Sequence, residues 1–482
     1  MSMASPVAML WVRAPDTYRV ERKYAFDVIL SEWLGFDYEL HWWNEPRVSI
    51  CLPADRAGLQ LTGPDVLFSA RAQDWLTERS MPALPLVEIH AEPDRPRDAN
   101  ERETSPLRIP VLYGEVGDGR GAWLSTPDGL HLTIDVFGSV FFLLTRYEEL
   151  VRGDRDQHGR FPAASSLAMS GGYMERPLAD EYVDILWSGM HRLWPTISRR
   201  HAEYRLRLTH DVDQPWSIVG QRARTVVHDL ARDVLSRRDP KLLLRRARTI
   251  ALSRSGCVDG DPFNTFDFLM ETSERYGIAS VFNVMAVDRP TSFDGRYRLG
   301  DPQATALLRR IRERGHEVGL HASYASHASV SLLQNEFAAL RTACGAIGLE
   351  QGAWGVRHHY LRFDAPLTWR CQAAAKLDYD STLGYADAVG FRAGTCREFH
   401  VFDLLSRRPL NLRERPLLAM DATLSEYLGL RPPETIDRIR AIVSQCRRHR
   451  GDAVLLFHNN RLTGDRQRGA YREMVNEMAS PR

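Results

Sequence analysis

Over residues 204–460, short apolar runs of strand length alternate with longer stretches in which apolar residues recur at helical spacing. The runs predict strands at 204–211, 279–285, 317–321, 355–360 and 453–458, and helices at 266–276, 304–314, 330–343, 367–375 and 433–449. Strands separated by helices pair in parallel through right-handed crossovers. This half is therefore expected to be an α/β unit over 204–475. Residues 1–200 mix short strand candidates with helices around 21–33, 136–151 and 182–194, which predicts a separate α+β domain. Its charged loops at 91–105 and 152–165 suit surface connections, and it carries no catalytic constellation.

Length supports the division, because 482 residues exceed one ordinary core. Charge adds little: 63 basic against 62 acidic residues give a field that favours neither nucleic acid nor an acidic surface. The six cysteines are scattered without a C-x-x-C pair, which argues against a zinc ribbon or a disulfide scaffold and for reduced thiols. Residues 1–10 lack a basic leader, and no run approaches the roughly 20 apolar residues of a membrane span. The expected location is the cytoplasm.

Several predicted strands stop at residues able to bind metal or move protons. His210-Asp211-Val212-Asp213 follows the first, His321 ends another, Arg357-His358-His359-Tyr360 closes a third and His458 ends the last. Catalytic groups at the carboxyl ends of parallel strands are how α/β sheets build active sites. Asp211 and Asp213, two apart, share a face if the backbone stays extended, although an Asp-x-Asp pair also serves as a turn or helix cap. His316 precedes its strand and reads as structural. After 379–380, the loop containing Arg392 either contacts a ligand or is a glycine-rich turn with a paired arginine.

In order, Thr209-His210-Asp211-Val212-Asp213, Gly315-His316-Glu317-Val318-Gly319-Leu320-His321, Arg357-His358-His359-Tyr360, Tyr379-Asp380-Ser381-Thr382 and Leu455-Leu456-Phe457-His458 resemble the polysaccharide deacetylases of carbohydrate esterase family 4, the NodB-homology fold. The resemblance covers roughly residues 204–460. It implies an incomplete (β/α) barrel that removes an acetyl group from a sugar with a divalent ion, zinc first and cobalt or nickel as alternatives. By the same resemblance Asp211 is the base, Asp213 and His321 bind metal, and Arg357 holds the base. Tyr360 offers its backbone N–H to the oxyanion, Asp380 supports the arginine, and His458 is the general acid.

One position departs from the pattern. Four residues after His321, where the family places a second metal-binding histidine, this chain has Ala325. His359, where the family usually has proline, is the preferred third ligand because a strand end holds a ligand better than a loop does, and His327 is the alternative.

The implied substrate is an acetylated saccharide, lipid-linked as one option, in cell-surface polysaccharide metabolism, with no nucleic-acid partner. Two other readings compete: a catalytically inactive saccharide-binding barrel, or a hydrolase of a small non-sugar amide. A basic, helical insertion at 220–262 is either a solvated surface element or an amphipathic pair lying on an anionic membrane.

Overall fold

The computed structural model describes residues 9–55, 58–91, 107–115, 121–218 and 258–480. Residues 220–257 of the basic insertion lie outside the described residues. By contacts the chain resolves into two units, Met1–Asp154 with Ala163–Glu203 and Ala393–Leu410, and Arg155–Pro162 with Tyr204–Arg392 and Asn411–Arg482. The chain crosses between them, so that a short segment from the first half, residues 155–162, belongs to the unit that carries the candidate chemistry.

In the first unit a six-stranded sheet runs in the order Asp37–Trp43, Met9–Pro15, Arg47–Cys51, Gln60–Pro64, Gly129–Leu132, Trp123–Thr126. Strict alternation along Met9–Pro15 buries Leu10, Val12 and Ala14 and leaves Met9, Trp11 and Arg13 outside, as a half-covered sheet requires. The helix Val136–Leu144 is apolar all round and buried along its whole length. Asp135 caps it by accepting the Gly138 N–H at 2.8 Å.

The second unit is built on a curled, open sheet. Its strands are β1 (Arg205–Val212), β2 (Val281–Val284), β3 (Glu317–Ala322), β4 (Gly355–His358), β5 (Tyr379–Asp380), β6 (Arg408–Glu414), β7 (Ala419–Met420) and β8 (Asp452–Leu456). They pair in parallel in the order β6-β5-β4-β3-β2-β1-β8-β7. The mixed α/β alternation expected for this half is present. Helices Phe266–Glu274, Pro302–Glu313, Val330–Ala346, Leu367–Ala374 and Pro432–Arg448 fall at the predicted places. Strands β6 and β7 and the helix Asp465–Ala479 were not foreseen. β8 is buried at every residue, as a parallel strand covered on both faces should be. Because each of these seven pairs is parallel, the carboxyl ends of the eight strands open on one side, and the first strand lies centrally between β2 and β8.

Candidate metal and acid–base site

Asp213 follows β1, His321 lies within β3 near its end, and His359 opens the short turn after β4. The turn is tight: Tyr360 and Leu361 both have left-handed backbone, with φ of +61° and +52°. One ligand atom from each of Asp213, His321 and His359 falls within 4.8 Å of the others. His321 Nε2 is 2.9 Å from Asp213 Oδ1, and His359 Nε2 is 3.6 Å from the same oxygen. A tetrahedral ion with bonds of about 2.0–2.1 Å would hold its donors about 3.3–3.4 Å apart. The cluster therefore fits a divalent ion, with two imidazoles and a carboxylate as donors.

The surroundings prepare those donors. His321 Nδ1 donates to the Arg357 carbonyl at 2.9 Å, which turns Nε2 toward Asp213. His359 Nδ1 lies 3.4 Å from Asp294 Oδ1. Asp294 is held by the Tyr324 N–H at 2.8 Å and by the Thr291 N–H and hydroxyl. A carboxylate behind a ligating histidine fixes its tautomer and ring orientation. Burial disfavours the Asp213 carboxylate, but His359, His321 and His458 hold its pKa well below the usual range. Burial likewise opposes the imidazolium of His321, which Asp211 and then Asp213 shift upward.

His458 follows β8 and faces the same cluster, its Nε2 3.7 Å from Asp213 Oδ2. Its Nδ1 meets Asp421 Oδ1 at 2.7 Å, and the other oxygen of Asp421 accepts the His458 N–H at 2.8 Å. Burial works against the charged ring, yet Asp421, with Asp213 and Asp211 behind it, lifts the His458 pKa to about 9. Asp211 is buried at 2% exposure and accepts from Asn283 Nδ2 at 2.8 Å. Asn283 stands beside Asp211 in the register of β1 and β2 and beside Gly319 on β3. A Cβ on Gly319 would lie 2.1 Å from Asn283 Oδ1, so only glycine leaves room for the amide that steadies Asp211.

The model of a family of unknown function, DUF7033, matches residues 10–195. A search of curated proteins finds no match. Among solved structures the chain is similar to a protein from Mycobacterium smegmatis assigned as a polysaccharide deacetylase, with 16% identity, a TM-score of 0.38, and 58% of this chain and 85% of that one covered. It is also similar to a protein from Pseudomonas aeruginosa PAO1 with the same assignment, at 12% identity and TM-score 0.36, covering 65% of this chain and 90% of that one. The Puue allantoinase matches at 12% identity and TM-score 0.36, with coverage of 57% and 84%. At such distances the functional argument rests on this chain's own side chains.

Asp211, Asp213, His321, His359 and His458 converge, with the Tyr360 ring beside His359 at 4.7 Å. Arg357 does not bind Asp211, as the resemblance implied. Its guanidinium reaches the hydroxyls of Ser381 at 3.0 Å and Thr209 at 3.2 Å, and Nη1 is buried without a hydrogen-bond partner. The reason lies deeper in the sheet, where Asp380 and Glu414 are buried together and attract the guanidinium. Burial raises the pKa of both carboxyls; Asp380 raises that of Glu414 further, while the hydrogen bond with Glu414 lowers that of Asp380, so Asp380 acts with Glu414 rather than with Arg357 alone. Asp380 Oδ1 is taken by Thr382 and Gln372.

His327 stands outside the cluster, in the short turn Ser326–Ala328, with its pKa pushed down to about 4 by burial and then by Arg362. His210 is structural: burial lowers it to about 4, and Nδ1 meets the Phe457 carbonyl at 3.1 Å. Arg392 is buried at 2% exposure, donates to the Gly384 carbonyl and lies over Phe363 and Tyr385, which favours the turn reading of its loop. Sequence reasoning did not assign Asp294, Asn283 or Asp421. Asp421 offered a signal, a carboxylate directly after the two-residue strand β7. Asp294 and Asn283 offered none.

Replacing Asp294 with Asn should weaken binding of a divalent ion by about 10–100-fold, the usual cost of losing the carboxylate behind a ligating histidine. Chelator competition on the purified protein reads this directly, and His327→Ala should leave the same affinity unchanged.

Proposed function

We propose that the chain is a divalent-metal-dependent hydrolase that removes an acetyl group from a carbohydrate. The observation that carries the reading is the convergence, at the carboxyl ends of parallel strands, of a three-donor cluster with a separate carboxylate and a charged-prone imidazole. A binding module needs no such division of labour. Asp213, His321 and His359 would hold the ion. When bound, a divalent ion polarises the acetyl carbonyl and makes water a better nucleophile at neutral pH.

The chain's own residues supply the proton transfers. Asp211, oriented by Asn283, takes the proton from the attacking water. His458, kept protonated by Asp421, gives a proton to the departing sugar nitrogen or oxygen. The Tyr360 N–H is the donor assigned to the carbonyl oxygen as it gains negative charge. Arg357, buried between Thr209 and Ser381, holds the floor of the site. His359 answers the missing histidine at Ala325, which is the feature that would otherwise favour an inactive saccharide-binding barrel.

The test is acetate release from a panel of N- and O-acetylated saccharides, with the protein loaded in turn with zinc, cobalt and nickel. Acetate that appears with the wild type and not with Asp211→Asn supports the proposal. Saccharide binding without acetate would point to the binding protein, and release of a different acid from a small amide to the non-sugar hydrolase.

A further inference from the structure

Beside the candidate metal centre stands an aromatic wall whose rings the proposed chemistry does not use. Phe293 and Tyr324 stack with ring centroids 4.3 Å apart. Tyr360 meets both edge-on at 5.5 Å. His158 packs against Tyr360 at 4.8 Å and joins Tyr324 by a hydrogen bond of 3.1 Å. Phe293 is 43% exposed and Tyr360 36%. The wall starts at the metal cluster, because the Tyr360 ring contacts that of His359. It is also built from the same support, since Asp294, the carboxylate behind His359, takes the Tyr324 N–H and directly follows Phe293.

The rings are held, not merely collapsed together. Arg362 lies 4.1 Å over the Tyr324 ring and donates to the carbonyls of His158 and Tyr324. Arg160 binds Asp156, the Tyr360 carbonyl and the Tyr427 hydroxyl. Both cations thus already have partners in or beside the wall. What the wall offers a ligand is aromatic face and edge without a spare charge, which suits an uncharged ring carrying polarised C–H bonds and not a phosphate. Exposed aromatic rings fixed in this way beside convergent polar groups are typical of a small-molecule site.

We propose that Phe293 and Tyr360, with Tyr324 packed behind them between Phe293 and Arg362, form a stacking subsite for a pyranose ring of a neutral saccharide, next to the ring that presents its acetyl group to Asp211 and His458. This assignment rests on the deacetylase reading for the position of the second ring. It makes the substrate an uncharged oligosaccharide, and the sugar phosphate of a lipid-linked intermediate is not what the wall recognises.

The test is calorimetric binding of N-acetylglucosamine and its β-1,4 tetrasaccharide to the full-length chain, wild type, Phe293→Ala and Phe293→Tyr. The wild type should bind the tetrasaccharide more tightly than the monosaccharide. Phe293→Ala should weaken tetrasaccharide binding by about tenfold while Phe293→Tyr preserves it, as the loss of one aromatic stacking contact predicts. Equal binding by Phe293→Ala and wild type would overturn the subsite. So would a wild type that ignores both neutral sugars or takes only a phosphorylated one. Cleavage of 4-nitrophenyl acetate by the metal-loaded wild type, a probe with no sugar, tests the reaction separately: cleavage without saccharide binding removes the wall alone, and saccharide binding without cleavage removes the reaction alone.

Discussion

Asp213→Ala and His321→Ala are each expected to eliminate stoichiometric binding of a divalent ion. With three protein donors, losing one leaves two, and a catalytic site of this kind keeps no spare ligand. Asp213 is the greater loss, because it supplies the negative charge on which His321, His359 and His458 all converge. Its removal leaves three imidazoles facing one another around a cation, and affinity should fall by about three orders of magnitude or more, beyond the cost of a lost supporting carboxylate. Elemental analysis by mass spectrometry after gel filtration reads the outcome. Thermal unfolding gives a second readout: ion at a hundredfold excess over its dissociation constant stabilises the folded state by about 2.7 kcal/mol. The wild type should thus lose stability on addition of a chelator, whereas the variants should not respond. Full metal content in Asp213→Ala would remove the proposed centre.

His458→Ala and Asp211→Asn should retain metal and lose turnover by about 10²–10⁴-fold, the range for deleting a group that moves a proton in the transition state. The pH profile separates acid from base. His458 is useful while protonated, so turnover should decline as pH rises through its pKa. Asp421 raises that pKa, and Asp421→Asn should move the alkaline limb toward lower pH. A bound cation opposes the pull of Asp213 and Asp211, so the wild-type limb should lie below the value of about 9 set by the carboxylates without it. An unshifted limb in Asp421→Asn would show that His458 is not the group responsible.

The chain itself announced most of this unit. Alternating apolar runs and helical stretches specify parallel strands whatever their neighbours, because periodicity records which face of an element is buried. Asp211, Asp213, His321, His359 and His458 could be named because each follows or ends such a run. His359 was separable from His327 by the same logic: one lies at the end of a predicted strand, and the other sits in a loop six residues beyond His321.

Other features were decided only in three dimensions. Arg357 was expected on Asp211, yet it lies where Thr209, Ser381 and the buried Asp380–Glu414 pair act on it, and Glu414 comes from a strand that periodicity did not reveal. Asn283 reached Asp211 through the register of two strands although the two residues are 72 apart in sequence, and Gly319 mattered only because a third strand placed it against that amide. Residues 155–162 belong to this unit although they precede its first strand, and they bring His158 and Arg160 to the aromatic wall. Sequence by itself determined the elements and the residue types at their ends, since burial periodicity and strand termination are local. Partners, pKa values and the wall depend on distances between segments far apart in the chain, and those are set by packing, on which local pattern is silent.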